Sequence, residues 1–267
     1  MLSLLRKGSS KKESVILLQT LLNQWGCRLR VDGDFGDKTL KCVKEFQLNN
    51  NLIVDGVVGA KSWTVFQQEF PSFFQSLRSK FISENDIIQA SKILGVDVAT
   101  VKAVYKVESN GKGFIGDNPK ILFEGHVFWR QLKKHGINPY EHQRGNEDIL
   151  FPRWTRKYYR QNQYIRLEKA KEIDKSSALE SASWGLFQIM GYHWKSLGYN
   201  SVEEFVEKMY QNEGEQLLAF VKFIEVNGLT RFLKVRDWAG FARRYNGRGY
   251  RANRYDIKLA RAYRKYR

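Results

Sequence analysis

A turn-and-helix pattern occurs twice near the start of the chain and limits what residues 1–69 can become. Val31-Asp32-Gly33-Asp34-Phe35-Gly36 leads into a helical run with Val43, Phe46 and Gln47, and Val54-Asp55-Gly56-Val57-Val58-Gly59 leads into another with Trp63 and Phe66. Asp-Gly turns cheaply because glycine accepts positive φ, and Thr39 and Ser62 offer a cap to the helix after each turn. Upstream, Ser10 and Glu13 have capping-box spacing before a helix with Val15, Leu18, Leu21, Leu22 and Trp25 on its apolar face, stopped by Gly26. Two copies are too few for a solenoid, so the pattern predicts one small helical module.

Residues 70–82 break the pattern with Pro71, serines and Phe70, Phe73, Phe74 and Phe81, which predicts a linker packed on a domain rather than a flexible tether. Beyond it, Ser83-Glu84-Asn85-Asp86 caps a helix bearing Ile87, Ala90, Ile93 and Leu94 that stops at Gly95. Val98, Val101, Val104 and Tyr105 line the next helix, and Ser109, Asn110, Gly111 and Gly113 end it. Glu108 therefore sits at a helix C-terminus, where the negative end of the macrodipole raises a carboxyl pKa. A carboxylic acid still protonated near neutral pH is what donating a proton to a glycosidic oxygen requires. A second carboxyl, Glu124, lies in an apolar frame between Phe123 and Val127-Phe128-Trp129. Asp117, in Asp-Asn-Pro, reads equally as a water-positioning carboxylate or a turn former.

Two later stretches are informative. Ser181-Ala182-Ser183-Trp184-Gly185-Leu186-Phe187-Gln188-Ile189-Met190 combines small residues, which let backbone approach a ligand, with a polar Gln188 in an apolar run. A buried Gln188 needs partners, which a sugar or the catalytic acid would supply. Trp238 to Gly247 ends a helix in Tyr245-Asn246-Gly247. Between residues 130 and 180, Arg153, Arg156, Lys157 and Arg160 alternate with Trp154, Tyr158, Tyr159 and Tyr164, a composition that suits a sugar groove and is also compatible with nucleic acid.

With 42% hydrophobic residues and 14% aromatics in 267, the chain can bury a real core. Its formal charge of +17 implies an anionic partner. No run approaches a membrane span, and Met1 to Lys7 is too short an apolar stretch for a secretory signal. Cys27 and Cys42 form no disulfide framework and read as two reduced, buried thiols. His126, His135, His142 and His193 are scattered, so no metal and no cofactor is expected.

Residues 4 to 66 resemble the three-helix peptidoglycan-binding domain of wall hydrolases, through Gly8, Leu18-Gln19, both Asp-Gly-x-x-Gly turns and Phe46-Gln47. Glu108-Ser109, Gly185-Leu186-Phe187-Gln188-Ile189 and Tyr245-Asn246-Gly247, in that order, resemble the goose-type lysozyme and lytic transglycosylase superfamily. More narrowly, residues 83 to 265 are similar to the N-acetylmuramidase domain of modular phage endolysins. The shared pieces include Leu94-Gly95-Val96, Val107-Glu108-Ser109, Gly113-Phe114, Ile121-Leu122-Phe123-Glu124-Gly125-His126 and Phe241-Ala242-Arg243-Arg244-Tyr245-Asn246-Gly247.

The resemblance implies an all-α protein: a wall-binding domain (1–69), a linker (70–82) and a lysozyme-like catalytic domain (83–267). It implies hydrolysis of the β-1,4 bond between N-acetylmuramic acid and N-acetylglucosamine. Glu108 is then the general acid, Tyr245 its hydrogen-bond partner and Glu124 the best second carboxyl, with Ser109, Gly185, Gln188 and Asn246 lining the cleft. With a single carboxylate, attack by the muramic acid 6-hydroxyl would make the enzyme a transglycosylase. The expected setting is phage lysis of a Gram-negative host by a monomer that stays in the host cytoplasm until another protein permeabilises the membrane.

From Arg243 onward ten Lys/Arg face one acid, Asp256. The segment reads as a terminal helix packed on the domain, with lipopolysaccharide or an anionic wall polymer as a further attraction that salt would screen. An inactive wall-binding or virion protein, and a nucleic-acid binder on charge alone, are the competing readings; no motif supports the latter.

Overall fold

The structure is a computed structural model that describes residues 2–109 and 111–267, and the side chains of 76–78 and 248 are not described. Asn110, predicted among the helix stop signals, lies outside the described residues, as do Met1 and the Arg248 side chain of the basic tail. The chain divides into two units, residues 1–78 and 79–267.

In the first unit, each Asp-Gly turn is closed by a buried glutamine from the helix before it. Helices α1 (Lys12–Trp25), α2 (Asp37–Asn49) and α3 (Ala60–Glu69) follow one another, with α4 (Pro71–Lys80) running across the division. Gln19 of α1 donates to Asp32 Oδ1 at 3.0 Å and to the Asp34 carbonyl at 2.9 Å, while its Oε1 accepts from the Asp32 and Gly33 amides at 3.1 and 2.9 Å. Gln47 of α2 repeats the clamp on Asp55, Val57 and Gly56. Polar groups that turning strips of ladder partners are thereby satisfied inside the module.

The caps differ from those predicted. Helix α1 starts at Lys12 with no side-chain cap, so Ser10 and Glu13 form no box; α2 and α3 start after Gly36 and Gly59, which leaves Thr39 and Ser62 buried in their first turns. The stretch around Pro71 is helical, since proline at the first helical position gives up only an amide that would lack a partner anyway. Phe74 of α4 is buried in the first unit's core, where Phe46 and Phe66 stack with centroids 3.9 Å apart.

Cys27 and Cys42, expected as separate thiols, are joined as a disulfide with Cα atoms 6.5 Å apart. The chain leaving α1 turns back beside α2, which brings the pair within bridging range. The bond spans a sequence separation of 15. Reduction, or Cys42→Ser, is expected to cost the unit about 3 kcal/mol, the scale for a loop of that length. A denaturant midpoint that does not move on adding reductant would refute this.

The second unit is helical with two small sheets, in keeping with the predicted all-α class. Helix α5 (Glu84–Leu94) begins with the predicted cap, which is a full box in which Ser83 and Asp86 cap each other, and ends at Gly95 in the left-handed region. Asp97 caps α6 (Val98–Glu108). Strands β1 (Phe114–Ile115) and β2 (Asn118–Pro119) form a hairpin around Gly116-Asp117. Strand β3 (Ile121–Phe123) leads to α7 (Gly125–Lys134), α8 (Gln163–Lys171) and α9 (Lys175–Glu180). Strands β4 (Ala182–Trp184) and β5 (Ile189–Met190) complete an antiparallel β3-β4-β5 sheet, with Ile121 opposite Trp184 and Ser183 opposite Met190. Then come α10 (Val202–Gln211), α11 (Glu213–Val226), α12 (Thr230–Lys234), α13 (Trp238–Tyr245) and α14 (Tyr255–Tyr266).

The core gathers Phe123, Phe128, Trp184, Phe187, Phe220 and Phe241. The basic terminal helix α14 packs through buried Leu259 and Tyr263 against α6 and α13. Tyr263 donates to the Asp97 carboxylate at 2.9 Å, fixing α14 to the start of the helix that ends in Glu108.

Candidate active site

Helix α6 ends at Glu108 because Ser109 leaves helical geometry there, its amide closing on the Tyr105 carbonyl at 2.9 Å. The Glu108 carboxyl is held from above by α13's exit: Asn246 Nδ2 donates to Oε1 at 3.1 Å. Burial pushes the Glu108 pKa up to about 7, opposed by the Asn246 hydrogen bond and by the charge of Lys258 on α14. The predicted elevation is present, but its main cause is desolvation rather than the helix dipole.

Tyr245, expected to bond Glu108, instead donates to the Phe187 carbonyl at 3.4 Å, and the adjacent Asn246 is the residue that reaches the carboxyl. Residues at the end of a helix diverge in direction, so neighbours in sequence reach different targets. Tyr245 still belongs to the Glu108 surroundings, since burial and then the Glu108 charge both raise its pKa. Its ring meets Phe220 edge-on at 5.4 Å, and Phe220 stacks on Phe187 at 4.2 Å. Tyr245 and Asn246 together thus tie the Gly185–Gln188 turn and Glu108 into one arrangement.

Gln188 adopts φ +52° and finds all its described partners in the protein. Its Nε2 donates to the Gly185 and Lys120 carbonyls at 2.8 and 3.1 Å, and its Oε1 accepts from Ser183 Oγ at 2.9 Å. Neither a sugar nor the acid is needed to satisfy it, which corrects the prediction. Gly185, at φ +70°, is needed for a close approach to Gln216, whose Cδ would lie 2.5 Å from an added Cβ.

Glu124 occupies the N-cap position of α7, 14% exposed. Its Oε1 accepts from the Tyr159 hydroxyl at 2.8 Å, and its Oε2 lies 3.4 Å from His126 Nδ1. Burial raises the Glu124 pKa, opposed by the Tyr159 hydrogen bond and the Arg166 charge, and burial lowers the pKa of His126. Buried Arg166 holds the Phe123 carbonyl at 2.9 Å, and its charge partly offsets the burial of Glu124. Asp117 is 96% exposed in the hairpin turn and pairs with Lys80, which fits the turn reading.

Lys258, Tyr159, His126 and Arg166 were not singled out as site residues in the sequence. Lys258, Tyr159 and Arg166 approach the two carboxyls from distant segments that no local spacing marks, whereas His126 lies only two residues beyond Glu124. No group of three or more metal-ligating side chains occurs among the described residues.

Residues 97–267 match the N-acetylmuramidase family, and residues 11–65 match a peptidoglycan-binding domain. Among solved structures, the chain is similar to an endolysin of the Burkholderia phage AP3, with 37% identity, a TM-score of 0.68 and 99% of each chain covered.

Proposed function

The chain belongs to the N-acetylmuramidase family and carries a peptidoglycan-binding domain, and from that premise we propose that Glu108 is the acid with which this endolysin cuts the bacterial wall. It is a lysozyme-type glycoside hydrolase. The observation that carries the assignment is a buried carboxyl with a pKa of about 7, anchored through one oxygen by Asn246. With a substantial protonated fraction at neutral pH, Glu108 gives its proton to the glycosidic oxygen as the bond to the muramic acid C1 breaks. The carboxylate left behind is stabilised by the Asn246 amide and the Lys258 charge, the two influences that favour its ionised form.

Glu124 is the proposed second carboxyl. In that role it accepts a proton from the water that attacks C1, with Tyr159 fixing Oε1. Its hydrogen bonds join no residue that bonds Glu108 among those described, and that separation favours weighing a second route, in which the 6-hydroxyl attacks and Glu124 is not required. Mass spectrometry of soluble products from purified peptidoglycan separates the routes. Borohydride-reducible muramic acid ends are expected; 1,6-anhydro ends, one water lighter, would overturn the hydrolytic reading.

The exposed cations of α14, Arg261, Arg264 and Lys265 among them, support a weaker, salt-sensitive attraction to lipopolysaccharide or anionic wall polymer. No helix of the described residues is long and apolar enough to cross a membrane. The similarity to a phage endolysin supports action at the bacterial wall, and the accompanying proposal is a monomer held in the host cytoplasm until lysis. A Cys27–Cys42 bond fits the wall setting, since disulfides persist in oxidising compartments.

A further inference from the structure

The loop between α7 and α8 places an exposed tryptophan at the end of a hydrogen-bond chain that starts on Glu124. Trp154 is 56% exposed, yet its indole N–H donates to the Tyr159 hydroxyl at 3.1 Å, and that hydroxyl donates to Glu124 Oε1 at 2.8 Å. The root of the loop is clamped. Phe151 lies where an added Cβ on Gly125 would meet it at 2.4 Å, and Tyr158 sits between the Phe151 ring at 5.4 Å and the Arg166 guanidinium at 5.6 Å. The Arg156 guanidinium covers the Trp154 ring, 5.3 Å from its centroid.

An indole satisfied by its own protein and covered by a cation has one face left for a ligand. A large apolar ring kept in water by a rigid loop is the kind of surface that binding sites use. The guanidinium beside it selects for a ligand that also carries a carboxylate. We propose that Trp154 and Arg156 form a subsite for a muramyl unit of the glycan, the sugar face lying on the indole and the acidic stem peptide reaching Arg156. This rests on the muramidase reading and extends it to a substrate contact away from Glu108. Single-stranded nucleic acid would also stack on an indole, but the connection to Glu124 favours the glycan.

The test is steady-state kinetics of the full chain on soluble glycan strands, with stem peptides and after their removal by an amidase. Trp154→Ala is expected to raise KM about tenfold on both substrates with kcat little changed, the signature of lost uniform binding by an aromatic anchor. Trp154→Phe keeps a ring but loses the bond to Tyr159, and is expected to retain most of the affinity. Arg156→Gln is expected to raise KM about threefold on peptide-bearing strands only, the scale of one exposed ion pair, with the difference vanishing at high salt. An unshifted KM for Trp154→Ala overturns the subsite. So does a Phe variant as poor as the Ala variant, which would locate the effect in the Tyr159 bond. Wild-type turnover of the same strands reports on the muramidase reading independently: no product from wild type would sink that reading, whereas normal wild-type turnover beside an unshifted variant sinks only the subsite.

Discussion

Glu108→Gln is expected to abolish wall clearing, with turnover on purified peptidoglycan falling about 10²–10⁴-fold, the usual worth of a positioned general acid. The amide keeps the shape and can still meet Asn246, but it has no proton to give to the leaving oxygen. Turnover within a few-fold of wild type would refute the assignment and turn attention to Glu124. The wild-type pH profile carries the same argument. Because the acid form is the working one, activity should fall as pH rises through about 7. Asn246→Ala removes an influence that lowers the Glu108 pKa, so its alkaline limb should move to higher pH.

Glu108→Gln has an opposite effect on stability. Glu108 is held above its ordinary pKa by burial, so it contributes stability that is fully present below the unfolded value, near 4.5, and is lost as pH rises through about 7. Above that range the native state carries a buried carboxylate that Gln lacks. Glu108→Gln is therefore expected to be more stable than wild type at pH 8, by up to about 3 kcal/mol, and to lose that advantage near pH 4. Paired denaturation curves at the two pH values check the sign.

Gly185→Ala is expected to destabilise the second unit strongly. Two independent costs meet there. The backbone sits at φ +70°, which a Cβ makes unfavourable by about 1–2 kcal/mol. The Cβ would also meet Gln216 Cδ at 2.5 Å, and Gln216 has nowhere to yield: its Oε1 accepts from the Leu186 amide at 2.7 Å and its Nε2 donates to the Met209 carbonyl at 2.8 Å. Displacing it leaves buried groups unpaired, at about 1–3 kcal/mol each. The sum is on the order of 3–8 kcal/mol, enough to lower the melting temperature by roughly 6 °C or more in a unit of this size. Gly198→Ala is the control. Its φ is +79° with nothing within 4 Å, so it should show the backbone cost alone. Equal losses in the two variants would mean that the approach to Gln216 contributes nothing.

Local structure was legible at several places where its cause is local, although the Ser10–Glu13 box and the Thr39 and Ser62 caps did not form. The Ser83 cap, the Gly95 stop and the end of α6 at Glu108 each depend on residues within one turn of one another, and each was readable from spacing. The doubled Asp-Gly turn was equally visible, while the glutamine clamps were not, because Gln19 acts on residues 13 to 15 positions away. Strands of two or three residues show no alternation to detect. Their pairing, Leu122 with Ser183 for example, spans a separation of 61 residues. Gln188 was rightly read as a polar group needing partners, though it is only half-buried, and sequence offers no way to tell that Ser183, Gly185 and Lys120 supply them.

The candidate site divides along the same line. The sequence by itself determined the place of Glu108 at a helix end, the helical class, the internal repeat and the order of the three stretches that resemble a muramidase. Tertiary structure decided what surrounds that acid: Asn246 rather than Tyr245 as its partner, Lys258 near it, Tyr159 on Glu124, and the joining of Cys27 to Cys42. The physical reason is one of range. Propensity, capping and turn chemistry act over a few residues and are written in spacing. Desolvation, which here sets the acidity of Glu108, depends on what distant segments exclude from water, and that exists only once the chain has packed.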